Sequence, residues 1–168
     1  MTITVRDARS SRDDREWIRT VYRDYLSELS VAKSGLFPAL GEWDARESEF
    51  LAGWFSDFRA FPFVIFNDRE RCGFALVTRS IGGEAGPSHR LSEFFVVRSA
   101  RRRGVGRAAA TLIFQRFAGH WEIVEDDENR SALVFWRRVL AEFTLGRFSE
   151  TRIGGEVRHT FRAVARAS

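Results

Sequence analysis

The sequence predicts a mixed α/β fold, in which strands and helices alternate around one core. Strand-like apolar runs and amphipathic helical patterns follow one another along most of the chain. Two strand-like runs, residues 61–66 and 71–78, are separated by four residues of hairpin composition, so they should pair antiparallel. A third run leads through a glycine-containing turn directly into a helix over residues 91–117. Together these patterns favour a central sheet covered by helices.

Length and composition favour a single domain over residues 1–168. Of the 168 residues, 44% are hydrophobic and 14% aromatic, enough to bury about 70% of the unfolded surface in one core. The net charge is only +4, from 27 basic and 23 acidic residues. A nucleic-acid-binding protein would concentrate its basic residues on one face, whereas here arginines alternate with acids. We therefore expect no nucleic-acid partner.

No segment has the features of an export signal or of a membrane span. The N-terminal residues contain no long apolar core, and no run approaches the roughly 18 apolar residues of a spanning helix. Cys72 is the single cysteine, so no intramolecular disulfide is expected, and its apolar neighbours favour a small buried side chain. The sequence thus predicts a cytoplasmic protein without a membrane partner.

The first third of the chain should contain a strand and two helices. Residues 3–6 have strand composition, and Asp13 or Asp14 is a candidate cap for the helix that follows. Gly35 and Pro38 should end that helix. Its predicted apolar side consists of Trp17, Val21, Tyr25 and Leu29. The second predicted helix has Asp44 as its cap and carries Phe50, Leu51 and Trp54.

The second half of the chain continues the alternation. A glycine-rich link, residues 81–87, precedes a strand over residues 90–97. After the glycine turn and its helix comes a short strand, residues 121–124, and then a second amphipathic helix. That helix begins near Asn129, and its predicted buried stripe is Ala132, Phe135, Trp136, Val139 and Leu140. Two further extended runs, residues 143–149 and 156–163, should form a closing antiparallel pair.

The turn between strand and helix is the segment most informative about function. Its residues are Arg101-Arg102-Arg103-Gly104-Val105-Gly106. Glycines let the backbone approach a ligand closely, and the first turn of a helix leaves amide donors unpaired. Such a turn favours a phosphate or pyrophosphate, although a purely structural turn with a solvated arginine face is the alternative.

The order of these motifs resembles the GNAT superfamily of acetyl-CoA-dependent N-acetyltransferases. The similarity is carried by a strand, Arg101-x-x-Gly104-x-Gly106, a helix, a short strand, and Asn129-x-x-Ala132-x-x-Phe135 opening another helix. It centres on residues 91–143 and extends more weakly over the whole chain. The resemblance implies a mixed, mostly antiparallel sheet of about six or seven strands with about four helices, splayed at the cofactor cleft.

Two other nucleotide-binding motifs fit less well. In a dinucleotide-binding fingerprint, Ala109 would take the third glycine place and Glu125 the place of the ribose-binding acid. That motif puts its first glycine directly after the strand, whereas residues 98–103 intervene here, and a hairpin fits poorly into a parallel sheet. A Walker-type phosphate loop needs a lysine, and the single lysine, Lys33, is far away in sequence.

The resemblance implies which residues hold acetyl-CoA, the co-substrate. The backbone of Val96 and Val97 would pair with the pantetheine arm, and the amides of the turn would hold the pyrophosphate. Asn129 stands where the family commonly uses a side-chain amide near the pantetheine, and an ordinary helix cap is the alternative. The residues assigned to the pyrophosphate turn are Arg101, Arg102, Arg103, Gly104, Val105, Gly106 and Arg107.

Glu93 is the candidate general base for acetyl transfer to an amine. It lies inside an otherwise apolar strand, where burial would raise the pKa of its carboxyl towards a useful range. A structural carboxylate is the alternative. The family often has a tyrosine acid in the second amphipathic helix, but this chain has Trp136 there, whose indole is not acidic. Water, Tyr22 or Tyr25 would have to replace it, and both tyrosines also have core spacing.

The acceptor site and partners follow from the same resemblance. The family builds one wall of its acceptor site from the irregular first third, so we expect a small-molecule or peptide amine there. Candidate aromatic residues of that wall are Trp17, Phe37, Trp43 and Trp54, and candidate acids are Glu42, Asp44, Glu47 and Glu49. His89, His120 and His159 have no metal-site spacing, so no metal is expected.

Two functions are consistent with the sequence. The first is an N-acetyltransferase that moves the acetyl group of acetyl-CoA directly to a primary amine. The second is a coenzyme-A-binding module that has lost catalysis and serves a regulatory or sensing role, which Trp136 suggests. A homodimer joined along the closing strand pair is an alternative to a monomer.

Overall fold

A computed structural model describes residues 1–32, 49–80 and 88–164, with the side chains of residues 29–32 left out. The strands are β1 (Ile3–Asp7), β2 (Ala60–Asn67), β3 (Glu70–Ser80), β4 (Ser88–Val96), β5 (Gly119–Asp126), β6 (Phe148–Ile153) and β7 (Glu156–Ala163). The helices are α1 (Arg12–Ala32), α2 (residues 49–56), α3 (Val105–Phe114) and α4 (Arg130–Thr144). Short 3₁₀ helices occupy Ala8–Ser10 and Arg98–Ala100.

All seven strands form one sheet, in the order β1-β2-β3-β4-β5-β7-β6. Every neighbouring pair is antiparallel except β4 and β5, which are parallel. This confirms the predicted mixed, mostly antiparallel sheet with four helices. It also removes the dinucleotide-binding alternative, because that fold is built on a mostly parallel sheet.

The sheet opens between β4 and β5. These strands pair only over four residues each, Ser88 to Leu91 with His120 to Ile123. Beyond that point β4 continues to Val96 and β5 to Asp126 without pairing to each other. The splay that the resemblance implied is therefore present, and we call the space between the two diverging ends the β4–β5 gap.

A β-bulge lies where the gap begins. Leu76 of β3 is opposite Glu93, but the next residue, Val77, is opposite Leu91, so Ser92 has no opposite residue. A bulge adds local twist and redirects the side chains that follow it. It thereby sets the directions of Glu93 and of the residues that line the gap.

The helices cover both faces of the sheet and create two apolar clusters. On one face α3 and α4 pack, with Ile113, Phe114 and Leu140 fully buried. On the other face α1 and α2 pack, with Ile18 and Leu51 at most 1% exposed. None of the helices in the described ranges combines the length and apolar character needed to cross a bilayer.

The first helix departs from its prediction in two respects. Ser11, not Asp13 or Asp14, precedes its first residue, and the Ser11 hydroxyl accepts from the Asp14 amide at 3.3 Å. Asp14 instead points inward and is fully buried. The inward face is consequently Asp14, Ile18, Tyr22 and Tyr25, while the predicted Trp17 and Val21 are only partly buried.

The last third also needs one correction. The predicted extended run over residues 143–149 is wrong at its start, because α4 continues to Thr144 and β6 begins only at Phe148. The helix ends in a left-handed turn at Leu145 (φ 54°), where the Gly146 amide donates to the Ala141 carbonyl at 2.9 Å. Glycine adopts such a C-terminal cap readily and leucine seldom, so a leucine at this position gives little indication in the sequence that the helix ends there.

Elsewhere the predicted elements are confirmed within one or a few residues. The hairpin pairs antiparallel, and Asn129 caps α4 as predicted. In the predicted stripe of α4, Trp136, Val139 and Leu140 are buried, whereas Leu133 takes the buried place predicted for Ala132. The predictions for Gly35, Phe37, Pro38, Glu42, Trp43, Asp44, Glu47 and residues 81–87 lie outside the described residues.

Candidate active site

The backbone of β4 presents polar groups to the β4–β5 gap at alternate residues. The Val97 amide donates to the Cys72 carbonyl of β3 at 2.9 Å. In an antiparallel ladder, alternate residues bond to the same neighbour, so Phe95 also directs its N–H and C=O towards β3. Phe94 and Val96 direct theirs into the gap. The Val96 N–H therefore faces the gap, and its pairing with pantetheine stays a prediction. The Val97 amide is already bonded to β3, and Phe94 joins the candidate positions.

The turn before α3 holds its amides in an open arrangement. Arg102 and Gly104 both have left-handed backbone conformations, with φ of 62° and 80°. The first bond of the helix runs from the Ala108 amide to the Gly104 carbonyl at 3.0 Å. The amides of Val105, Gly106 and Arg107 precede that bond, and Gly104 has no side chain that could cap them. The geometry suits an anion at the helix N-terminus.

The two glycines of this turn have different structural roles. At Gly104 there is room for a Cβ, since the nearest atom would be 3.9 Å away. Glycine is therefore needed there because of the left-handed backbone conformation and not because of crowding. At Gly106 a Cβ would lie 3.2 Å from the Phe135 ring. Glycine at 106 therefore lets the first turn of α3 approach α4 closely. Phe135 in turn stacks on Phe94 of β4, with ring centroids 5.9 Å apart.

The arginines around the turn form two groups: those that bond to neighbouring elements and those that are exposed to solvent. Arg101 donates to the Val96 carbonyl at 2.7 Å and to Glu28 of α1 at 2.6 Å. Arg107 pairs with Glu142 of α4 at 3.1 Å. Arg102 and Arg103 are exposed and form no ion pair within the described ranges. These two are the arginines available to a phosphate group, while Arg101 and Arg107 hold the turn against its neighbours.

Glu93 lies at the rim of the gap and is partly buried. Its carboxylate accepts a hydrogen bond from the Tyr25 hydroxyl of α1. Burial raises the pKa of the Glu93 carboxyl above its usual range, the bond from Tyr25 acts in the opposite direction, and the negative charge of Glu125 raises it further. A raised pKa makes a carboxylate a stronger base, as a group that accepts a proton from an amine requires.

Tyr25 is fixed by aromatic neighbours. It is 9% exposed, and its ring packs edge-on against Phe74 and Phe95, with centroids 5.3 and 5.5 Å away. Burial raises the pKa of its hydroxyl, and the Glu93 charge raises it further, so the phenol stays protonated. Tyr22, the other tyrosine considered above, is 2% exposed and belongs to the same cluster.

Glu125 is a functional candidate that sequence reasoning considered only as part of a rejected motif. It lies on the diverging end of β5, on the face that carries Trp121 and Ile123. Its carboxylate accepts from the Trp136 indole at 3.2 Å and from the Asn129 side-chain amide at 3.4 Å. In the sequence, Glu125 is only a charged residue two places after a buried strand residue. This pattern is too common to identify a functional residue.

Asn129 and Trp136 acquire defined roles from these contacts. The side-chain oxygen of Asn129, Oδ1, accepts a hydrogen bond from the Ala132 backbone amide at 3.4 Å, which confirms the helix-cap interpretation. Its side-chain amide points to Glu125 at the gap, and its contact with pantetheine stays a prediction. Trp136 is 2% exposed, and its indole N–H is engaged with Glu125.

The remaining candidates have packing roles or lie away from the gap. His89 is 2% exposed and stacks between Phe117 and Trp121, and His159 is fully buried and bonds Glu150 at 2.8 Å. Trp54 is buried in the core, and Glu49 is exposed. Within the described ranges, no group of three or more His, Cys, Asp or Glu side chains could hold a metal ion.

Comparison with known proteins agrees with this architecture. Residues 18–141 match the acetyltransferase (GNAT) family. An acetyltransferase from Thermus thermophilus superposes with a TM-score of 0.67 at 18% identity, covering 96% of this chain and 97% of that one. NAA60 from Arabidopsis thaliana, solved with acetyl-CoA, has a TM-score of 0.64 at 14% identity, covering 96% and 98% of the two chains.

A third similar structure is the PaiA N-acetyltransferase from Thermoplasma acidophilum, solved with coenzyme A. Its TM-score is 0.63 at 14% identity, and the alignment covers 96% of this chain and 99% of that one. No curated protein sequence matches the chain. At these identities the solved structures support the fold over nearly the full length of the chain.

Proposed function

Because the chain belongs to the acetyltransferase (GNAT) family, we propose that it transfers an acetyl group from acetyl-CoA to the primary amine of an acceptor, within one complex that holds both substrates. The acceptor in this proposal is a small-molecule or peptide amine. Neither nucleic acid, a membrane nor a metal takes part.

One observation carries the proposal: the β4–β5 gap has a carboxylate at its rim and, beside it, a turn whose amides have no side-chain cap. The N–H and C=O of Phe94 and the N–H of Val96 face the gap, as a pantetheine arm would require, whereas the Val96 carbonyl already accepts from Arg101. The amides at the start of α3, together with exposed Arg102 and Arg103, suit the pyrophosphate and phosphate of the cofactor. Acetyl-CoA supplies the activated thioester when it binds there.

The proposed chemistry assigns the base role to Glu93. The acceptor nitrogen attacks the thioester carbonyl carbon, a C–N bond forms, and the C–S bond breaks with its electron pair going to sulfur. Glu93 takes the proton that the nitrogen loses, and later returns it to solvent. The sulfur takes a proton from water, because the Trp136 indole has no acidic proton and already donates to Glu125.

Binding of the cofactor is the first test. Titration of the protein with acetyl-CoA in a calorimeter should give saturable heat, with an affinity that falls as salt rises because Arg102 and Arg103 contact phosphate charges. The double variant Arg102→Ala/Arg103→Ala should bind more weakly, while Arg130→Ala, an exposed arginine at the start of α4, serves as the control. No saturable binding at millimolar acetyl-CoA would overturn the proposal.

Turnover is the second test. Release of the coenzyme A thiol should depend on both protein and amine across a panel of amino acids, polyamines and peptides. The Glu93→Gln variant should bind acetyl-CoA normally but transfer at least about a hundredfold more slowly, the usual contribution of a general base. Equal rates for both proteins would remove Glu93 from the base role.

Trp136 favours a second candidate function, a coenzyme-A-binding module without catalysis. Its indole replaces the tyrosine expected at this place and is committed to Glu125. Such a module would bind acetyl-CoA, yet thiol release would not rise above the background with any amine. The turnover measurement therefore separates the two candidates.

A further inference from the structure

We propose that Trp136 and Phe94 select the acyl group of the thioester that the protein accepts. Together they close one face of the β4–β5 gap near the point where the two strands diverge, so that an acetyl group fits and a longer acyl chain does not. Their role rests on the proposed binding of acetyl-CoA in the gap and deepens it, because it decides which thioesters bind there. Trp136 thereby has a function that needs no acidic proton.

The Trp136 side chain reaches from one strand of the gap to the other. Its indole N–H donates to Glu125 on the diverging end of β5 at 3.2 Å. Its ring packs edge-on against Phe94 of β4, with centroids 5.1 Å apart. Trp136 is also among the buried residues of the cluster under α3 and α4. The indole therefore lies across the gap on the face that these two helices cover.

This contact lies close to the end of the gap. Pairing between β4 and β5 stops at Leu91 and Ile123, and Glu125 is two residues beyond that point. Because Ser92 is the extra residue of the bulge, Phe94 is likewise only two pairing positions beyond Leu91. Trp136 thus bridges the strands about 7 Å from their last pair, at 3.3 Å per strand residue.

A third ring completes what we call the aromatic wall, formed by Phe94, Phe135 and Trp136. Phe135 stacks on Phe94 with centroids 5.9 Å apart and meets the Trp136 ring edge-on at 4.7 Å. From the other side, a Cβ at Gly106 would lie 3.2 Å from Phe135 and 3.7 Å from Phe94. Rings packed this closely have little room to move aside. The wall is therefore apolar and stiff.

A thioester bound as proposed would reach this wall with its acyl end. The amides proposed to hold the pyrophosphate lie beyond Val96, at the start of α3. An arm bound along β4 from that turn runs back from Val96 towards Phe94 and the paired stretch of β4 and β5. The acyl group is the end of the arm, so each added methylene would have to displace a packed ring. One methylene too many in an apolar pocket lowers acceptance by about 10–200-fold.

Binding of three ligands tests the proposal without any amine or turnover. Calorimetric titration gives the Kd of coenzyme A, acetyl-CoA and butyryl-CoA, which differ only in the acyl group. The unmodified protein should bind butyryl-CoA at least about tenfold more weakly than acetyl-CoA. Equal affinity for the two thioesters would overturn the selection while leaving the proposed function intact. Absence of acetyl-CoA binding would contradict the proposed function, and the selection with it.

Two substitutions enlarge the space from different sides of the gap. Trp136→Phe and Phe94→Leu should each lower the ratio of the butyryl-CoA Kd to the acetyl-CoA Kd by about tenfold, and leave the Kd of coenzyme A unchanged. The control is Phe143→Leu, because Phe143 of α4 packs on Phe114 and Phe161 instead of at the gap. This control should keep the ratio of the unmodified protein.

The two variants also decide each residue separately. A residue whose substitution leaves the ratio unchanged, or weakens all three ligands equally, has no part in acyl selection, and this result for both would overturn the proposal. Replacing a buried tryptophan can be costly to stability, so a thermal melt establishes first that Trp136→Phe is folded. Phe94 is only partly buried, so Phe94→Leu provides the test even if Trp136→Phe does not fold.

Discussion

At the scale of single residues, Asp14 shows how a buried charge holds the start of the fold together. Its side chain is fully buried, and it accepts from Arg6 of β1 at 2.6 Å and from Arg71 of β3 at 2.8 Å. Burial alone would favour the neutral acid, but these two hydrogen bonds outweigh it, so the pKa of Asp14 lies below its usual range. One carboxylate thus joins α1 to two strands.

Replacing Asp14 should destabilise the protein strongly. Asp14→Asn removes the anion shared by two guanidinium groups that are partly exposed to solvent, and losing hydrogen bonds to a charged group costs about 1.5–3 kcal/mol. Urea denaturation should show that loss in the free energy of unfolding, while Asp13→Asn, an exposed neighbour, should change it by less than about 0.5 kcal/mol. Equal effects of the two substitutions would mean that the ion pairs contribute nothing.

At the scale of elements, the role of the turn before α3 in ligand binding can be tested separately from its role in stability. Gly104 and Gly146 have almost the same left-handed φ, 80° and 79°, and both have open space at the position of a Cβ. Gly104 begins α3 beside the gap, whereas Gly146 follows α4. They form a matched pair for separating strain from binding.

Gly104→Glu and Gly146→Glu should each lose about 1–2 kcal/mol of stability, because a non-glycine residue is strained in this conformation. Only Gly104→Glu should lose acetyl-CoA binding, since its carboxylate enters the anion site. Calorimetric titration of both variants distinguishes the outcomes, and retained affinity in Gly104→Glu would mean that the turn does not hold the pyrophosphate. Gly106→Glu is less informative, because its side chain would collide with Phe135.

A second element-scale connection joins α4 to the last two strands. Glu150 of β6 accepts from Arg137 of α4 at 2.7 Å and contacts His159 of β7 at 2.8 Å. The hydrogen bond from Arg137 has the largest effect on the pKa of Glu150, burial opposes it, and the hydrogen bond with His159 adds to it, so that together they lower this pKa to about 2. The carboxylate is therefore ionised over nearly the whole accessible pH range.

This connection should make the free energy of unfolding decrease as the pH falls through the acidic range. A carboxyl with a lowered pKa in the folded protein contributes stability above its unfolded pKa of about 4.5, and that contribution disappears as pH falls towards 2. Unfolding free energies measured from pH 6 to pH 2 should fall less steeply in Glu150→Gln than in the unmodified protein. Glu156→Gln, an exposed residue of β7, should keep the steep dependence. Parallel curves for Glu150→Gln and the unmodified protein would contradict the role of Glu150.

At the scale of the whole molecule, sequence patterns predicted what is local and missed what is assembled from distant segments. The hairpin, the Asn129 cap and the glycine turn were recognised because turn and cap residues act on their immediate neighbours. The inward face of α1 was misjudged because its burial depends on Asp14 meeting arginines from two strands. Tyr25 bonding Glu93 arises only when α1 packs on β4, so no spacing in the sequence records it.

The architecture of the sheet has a consequence for the stability of the entire protein. Strands β1 to β4 form one part of the sheet and β5 to β7 the other, and they hydrogen-bond to each other only through the short paired stretch of β4 and β5. Helix α3 contacts both parts, because Arg116 just beyond its end donates to the Val5 carbonyl of β1 at 2.6 Å and its Phe114 ring packs on Phe161 of β7, with centroids 4.9 Å apart. A ligand seated in the β4–β5 gap would join the two parts directly.

Acetyl-CoA should consequently stabilise the protein against heat. A ligand present at about a hundred times its Kd and bound only to the folded state adds about 2.7 kcal/mol. For a chain of this length, that corresponds to a rise in Tm of roughly 5–10 °C. Scanning fluorimetry should show this rise for the unmodified protein and for Gly146→Glu, but not for Gly104→Glu. An equal rise in Gly104→Glu would place the cofactor elsewhere, and no rise at saturating acetyl-CoA would contradict binding in the gap.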